Sequence, residues 1–185
     1  GNHAFGKINT LTSVNIPKNL IEADQAFAGS RNLTHLRNNV EGIRIPDGML
    51  EETGIATFIV PEGVTEIGKY ALRNNKTTDK DSVFGDPSSE PVKWAGLTNV
   101  ILPSTLTKID SRTFESTSIK FIDVPNGVSE IGDGAFRFNT ELETVKLPKE
   151  LKKLGGYLFE GNEKMTLLVL PDKVESIDVN AFVNM

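Results

Sequence analysis

One short phrase recurs four times between Leu97 and Pro171: LTNVILP, IKFIDVP, LETVKLP and MTLLVLP. Its prolines, Pro103, Pro125, Pro148 and Pro171, stand 22, 23 and 23 residues apart. Between them runs a second phrase, clearest in NGVSEIGDGAF. It places branched residues three and six after the proline, Gly or Asp at seven, and a small residue before an aromatic at eleven. A fixed period in this range is the signature of a solenoid, because each repeat can bury its apolar face only against its neighbours. The period decides the architecture and names neither a ligand nor a reaction.

In L-x-x-V-x-L-P the last two apolar positions are two apart, which puts both side chains on one face of a strand and their neighbours on the other. The proline then ends the strand, since it has no amide for a further ladder bond. Returning to the same phrase every 22 or 23 residues stacks the strands parallel and in register. Seven such strands at about 4.8 Å spacing give a sheet about 30 to 35 Å long. The outer half reads as a short extended piece (64–67, 128–131) followed by one to two helical turns. Phe5, Phe27, Phe114, Phe136, Phe159 and Phe182 are expected to stack as an internal column. Ser30, Thr53, Asn75, Thr117, Asn139 and Asn162, each three residues after the aromatic slot (held by Leu50 and Leu72 in two repeats), form a polar ladder that caps the turns.

Taken in order, the chain opens in mid-repeat with Ala4-Phe5 and reaches its first strand slot in LTSVNI before Pro17. Pro46 looks like the next strand end, yet it lies 29 residues after Pro17 and 15 before Pro61. If Asn39 takes the proline slot instead, both intervals become 22, Ile43 and Ile45 become the branched pair, and Met49-Leu50 takes the place of Ala-Phe. This register assigns Pro46 to the Gly/Asp slot and turns Asn38 inward. Between Ala71-Leu72 and Leu97 about 19 residues are inserted, roughly 76–95. The insertion is polar, carries two prolines and shows no period, as a loop would. Seven strand slots result, with half-repeats at both ends. No polar cap is visible at either end, so the array is expected to continue beyond this chain or to self-associate.

Composition narrows the function classes. There are 25 Asp and Glu against 20 Lys and Arg, a formal net charge of −5. A nucleic-acid binder would carry a strong basic excess. No apolar run approaches the roughly 18 residues of a membrane span, and no signal segment opens the chain. Cysteine is absent, so no disulfide framework or thiolate metal site is available. No cofactor motif appears. For catalysis the inventory is His3, His35 and scattered carboxylates, with no nucleophile elbow or phosphate loop. Glu66 and Glu130 recur at one repeat slot and read as a solvated edge. Asp79, Asp81 and Asp86 around Gly85 lack the glycine and terminal Glu of a calcium loop, so no metal site is assigned.

VPNGVSEIGDGAFRFNTELETVKLP resembles the repeat of the BspA-like leucine-rich repeat family, approximately L-x-x-I-x-I-P-x-x-V-x-x-I-G-x-x-A-F-x-x-C-x-x-L, and the likeness covers nearly the whole chain outside the insertion. The family's recurrent Cys is replaced here by Asn, Ser or Thr. The resemblance implies a single α/β repeat solenoid over 1–185, a right-handed leucine-rich-repeat superhelix of about seven 22–23-residue repeats. Its parallel sheet lies on the concave face, with short helical or extended turns on the convex face. It also implies an exported or cell-surface protein that binds host proteins or other cells, with no catalytic motif; the ligand is expected to be a protein or glycan.

By this register the open face carries two rows of outward residues. One is Asn15, Arg37, Ile59, Ile101, Asp123, Lys146 and Val169; the other is Ser13, His35, Thr57, Asn99, Phe121, Thr144 and Leu167. Ile59 beside Ile101, with Phe121 diagonal to them, forms a candidate binding patch. Against it stands the plain preference of β-branched residues for sheets, or cover by the insertion. Arg37 in the same row and Trp94, just before the fourth strand, complete the candidate set, although a lone Trp in a long loop also serves to pin the loop. Asp123 and Lys146 are expected to form a cross-strand ion pair. The functional expectation is adhesion through the open face and the insertion. The alternative is a structural spacer within a larger surface protein. A hydrolase is the third and weakest reading, for want of an assembled acid, base and nucleophile.

Overall fold

The computed structural model describes residues 3–17, 20, 22–38, 44–74 and 96–185. Twelve short strands follow one another: β1 (Ser13–Ile16), β2 (His35–Asn38), β3 (Arg44–Ile45), β4 (Thr57–Ile59), β5 (Glu66–Ile67), β6 (Asn99–Ile101), β7 (Lys108–Ile109), β8 (Phe121–Asp123), β9 (Glu130–Ile131), β10 (Thr144–Lys146), β11 (Lys153–Leu154) and β12 (Ser176–Ile177). They belong to two stacks. The open-face strands pair parallel as β1–β2, β4–β6 and β8–β10, and the outer strands as β3–β5–β7–β9 and β11–β12. This is the parallel-strand solenoid that the period predicts, in the form that the resemblance implies.

The register places like on like. Arg44 pairs with Glu66 and Ile45 with Ile67, while Ser13 pairs with His35, which is the 22-residue spacing obtained by giving Asn39 the proline slot. Asn39 and Ile43 lie outside the described residues, but the strands on both sides carry the assignment. Pro46 accordingly sits in a turn after β3, not at the end of an open-face strand. The ladder also closes over the insertion. Phe58 pairs with Val100 and the Leu72 amide donates to the Thr113 carbonyl at 3.1 Å, so coils 42 residues apart are neighbours. The insertion, Asn75, Trp94, Asp79, Asp81 and Asp86 lie outside the described residues.

Two expectations change. The seventh strand slot, 167–169, carries no ladder pairing, so six strands form the open face among the described residues. Its inward residue Leu168 is only half-buried, where Ile122 and Val145 of the preceding coils are buried. The outer turns are not helical either. In the turn after Ala23, the amides of Ala26, Ala28 and Ser30 donate three residues back. Those of Gln25, Phe27 and Gly29 donate instead to Asp47, Met49 and Glu51 of the next coil, at 2.7, 3.2 and 2.9 Å. The coil of Gly134, Phe136 and Phe138 repeats this toward Gly156, Leu158 and Glu160. An α-helix needs every residue right-handed, whereas left-handed residues here stand four apart: Gln25 and Gly29, Arg112 and Ser116, Gly134 and Phe138, Tyr157 and Gly161. Left-handed conformations at non-glycine residues cost about 1–2 kcal/mol each. The inter-coil hydrogen bonds they allow offset that cost.

The core follows the phrase. Phe5–Phe27, Phe114–Phe136, Phe136–Phe159 and Phe159–Phe182 stack with centroids 5.6 to 5.9 Å apart; buried Leu50 and Leu72 fill the same slot between Phe27 and Phe114, while at the column's ends Phe5 is exposed and Phe182 partly buried. The Gly/Asp slot also has a steric reason. A Cβ at Gly68 would lie 2.3 Å from Asp47 Oδ1, and one at Gly155 would lie 2.4 Å from Asp133 Oδ1. Those carboxylates accept hydrogen bonds from the following amides of Lys69 and Gly156.

The described members of the polar ladder are buried, and each makes at least one side-chain hydrogen bond, although the buried Asn162 Nδ2 has no partner among the described residues. Ser30 donates to the Phe5 carbonyl at 2.8 Å and Thr53 to the Leu50 carbonyl at 3.0 Å. Asn139 Oδ1 accepts from both the amide and the hydroxyl of Thr117 at 2.6 and 2.8 Å, and Asn139 Nδ2 donates to the Phe136 carbonyl at 3.1 Å. Removing this side chain strands two buried donors. Asn139→Ala is therefore expected to cost about 2–4 kcal/mol in denaturant unfolding, with Asn139→Thr losing less; a loss below about 0.5 kcal/mol for Asn139→Ala would remove the ladder from the account.

Candidate functional site

Strand alternation builds the open face. The middle residues Phe58, Val100, Ile122 and Val145 are buried, and all fourteen residues of the two predicted rows are exposed. Among them Ile59 is 59%, Ile101 52% and Phe121 54% exposed. Ile59 and Ile101 are direct register partners across β4 and β6. Ile101 and Phe121 line one open groove of about 600 Å³ with Asn99, Glu62, Ser104 and Lys146. The described structure thus leaves all three uncovered and brings them side by side. Asp123 Oδ2 meets Lys146 Nζ at 2.8 Å, the predicted cross-strand pair.

Arg37 lies apart from that groove. It is exposed on β2 and lines a second groove of about 570 Å³ with Ser13, Asn15, His35 and Thr57. His35 Nδ1 stands 2.9 Å from Thr34 Oγ1. Glu66 and Glu130 are edge residues as read, paired with Arg44 at 3.1 Å and Lys108 at 3.2 Å. The Glu130 hydrogen bond holds the Lys108 ammonium above its ordinary range.

Two sets of residues escaped the sequence reading. The rim of the Phe121 groove includes Glu62, Ser104 and Asn126, which occupy the slot just after the strand-ending proline. Glu62 accepts from the Ser104 amide and hydroxyl at 3.1 and 3.2 Å. The second set is a charge ladder on the outer turns, in the slot after the core aromatic: Glu51, Arg73, Glu115, Arg137, Glu160. Arg73 bridges Glu51 and Glu115 at 3.1 Å each. Arg137 bridges Glu115 at 3.6 Å and a close Glu160, with its guanidinium 4.3 Å from the centre of the Phe138 ring. Glu51, Glu115 and Glu160 are buried. Alternating sign at one repeat slot was the signal that would have found this ladder.

Burial pushes the Glu51 carboxyl up to about 7, opposed by Arg73 and aided by Glu52 and Glu115. Among the described residues no group of three or more His, Asp or Glu side chains converges to hold a metal, and no helix long and apolar enough to cross a membrane is found.

The chain belongs to the BspA-type leucine-rich repeat family, whose model matches residues 1–80 and 93–185 as six copies. Among solved structures it resembles a leucine-rich repeat protein from Bacteroides ovatus, with 25% identity, a TM-score of 0.61, and coverage of 95% of this chain and 44% of that one. It also resembles a leucine-rich cell surface protein from Faecalibacterium prausnitzii (20% identity, TM-score 0.50, 94% and 51% coverage). A third likeness is to the leucine-rich repeat protein of T. pallidum (23% identity, TM-score 0.51, 90% and 73% coverage). The chain spans about half the length of the first two. A search of curated proteins finds no match.

Glu51 yields a pH test. Its raised value means that the fold binds this proton more tightly than the unfolded chain does, so its ionisation weakens the fold as pH rises through about 7. Glu51→Gln should stabilise the protein at pH 8 by up to about 3 kcal/mol and flatten that share of the stability change between pH 8 and 5.5, read by thermal unfolding. A Gln variant less stable than wild type at pH 8 would show that the charged Glu51–Arg73 pair outweighs burial.

Proposed function

We propose that this chain is a non-enzymatic binding module of an exported or surface-attached bacterial protein, and that it holds a protein ligand on its open face. The observation that carries this is the trio Ile59, Ile101 and Phe121. Each is more than half exposed on short strands backed by a packed core, and none is covered by any described part of the chain. Large apolar side chains exposed together on paired strands are a mark of interaction surfaces; Leu167 and Val169, the other exposed apolar residues of the two rows, lie in the slot that carries no ladder pairing. A purely structural spacer has no use for them there and would gain solubility by replacing them. Family membership supports export, and the backbone of the face is pre-organised, so little ordering cost falls on binding.

The test is a panel of immobilised extracellular and cell-surface proteins and glycans, probed with the wild-type chain and two variants. Phe121→Asp is expected to weaken capture at least about tenfold with an unchanged unfolding midpoint, because its side chain lies outside the core. Lys152→Asp, away from the face, should leave capture unchanged. Equal losses in both variants, or none in Phe121→Asp, would move the binding surface elsewhere.

A further inference from the structure

We infer that the segment this face takes is an extended peptide carrying a carboxylate followed within a few residues by apolar side chains. The carboxylate sits on Arg37 and the apolar groups lie over Ile59, Ile101 and Phe121. The inference rests on the reading of the open face as the binding surface and gives the ligand its chemistry.

Charge is the first argument. The chain carries a net −5, yet the fourteen outward residues of the open face hold two cations, Arg37 and Lys146, against one acid, Asp123. Lys146 and Asp123 neutralise each other at 2.8 Å. Arg37 has no ion-pair partner among the described residues, and its groove is lined by Ser13, Asn15, Thr34, His35 and Thr57 with no carboxylate. A guanidinium surrounded by hydroxyl and amide groups suits a single carboxylate, which it can grip with two parallel hydrogen bonds.

Position is the second argument. Arg37, Ile59 and Ile101 occupy one row in successive coils, and Thr57 belongs both to the Arg37 groove and to the strand of Ile59. β4 and β6 are paired, and the coils of Arg37 and Ile59 are joined through their outer strands β3 and β5; at about 4.8 Å per coil, Ile101 lies about two steps from Arg37, a distance that about three residues of extended peptide cover. Phe121 stands one coil further, across the neighbouring groove. A sulfated glycan fits less well. A polyanion draws its affinity from several cations at once, and among the described residues of the two open-face rows Arg37 is the one cation without an ion-pair partner, on a chain whose net negative charge repels a polyanion.

The test uses the full chain, ¹⁵N-labelled, titrated with capped synthetic peptides in one frame, Gly-Glu-Gly-Leu-Gly-Phe-Gly. Companion peptides carry Gln or Lys for Glu, or Ser for Leu and Phe, and a sulfated disaccharide serves as the glycan probe. The Glu peptide is expected to shift the amides of Arg37, Thr57, Ile59, Ile101 and Phe121. The Gln peptide should bind about threefold to tenfold more weakly and the Lys peptide weaker still. Arg37→Gln should abolish the difference between the Glu and Gln peptides, whereas Phe121→Ser should weaken every peptide. Equal affinity for the Glu and Gln peptides would overturn the assignment to Arg37 and leave an apolar binding face standing. Tighter binding of the sulfated probe at Arg37 would reassign the groove to glycans. Peptides that leave the open face unshifted, while a protein from the panel binds through Phe121, would sink the acidic-apolar class alone; silence from both would sink the binding reading as well.

Discussion

The interaction on which everything else depends is the backbone hydrogen bond from one outer turn to the next, as from Phe27 to Met49 or Phe136 to Leu158. It fixes the rise between coils, and with it the stacking of the phenylalanines and the spacing of the open-face strands. Side-chain electrostatics obeys the same interval. Lys146–Asp123, Lys164–Glu141, Lys173–Glu150 and Arg44–Glu66 each join residues one repeat apart. Exposed pairs of this kind contribute little individually. Their common spacing keeps like charges from facing one another down a column, where they would be destabilising.

Much of this was legible in the amino-acid pattern because a repeat displays each environment several times. The alternation in ILP, IDVP and VKLP was enough to separate inward Val100, Ile122 and Val145 from outward Ile101, Asp123 and Lys146. Interval arithmetic alone exposed Asn39 behind the misleading Pro46. The turn geometry was not legible. A small residue beside an aromatic, one turn past a Gly or Asp, is compatible with a helix start, and the residues that forbid the helix include Gln25, Arg112, Phe138 and Tyr157. Nothing in those residue types announces a left-handed backbone; the demand comes from the neighbouring coil. The buried charges were missed for a related reason, since a Glu or Arg in a polar turn reads as solvated until its partner a repeat away is considered. Glu62 and Ser104 likewise became groove rim only through stacking.

Regular and irregular positions divide the labour. The inward slots accept a narrow set of residues because each must fit between two near-identical layers. The outward slots of the strands meet no such demand, so their identities are free to serve recognition. Ile59, Ile101 and Phe121 stand where packing imposes nothing, and that is why their apolar character carries weight. The closure of Leu72 onto Thr113 shows that the solenoid also tolerates extra chain between coils, provided both ends return to register.

The ladder Glu51, Arg73, Glu115, Arg137, Glu160 alternates in sign, so its true period is two coils where the backbone's is one. Loss of any single interior coil would bring two groups of like sign, buried glutamates or half-buried arginines, into contact; loss of two adjacent interior coils would leave the alternation whole. The array therefore carries a parity rule that its backbone lacks. Inside these five coils, repeats are free to be lost in adjacent pairs and are penalised when lost singly.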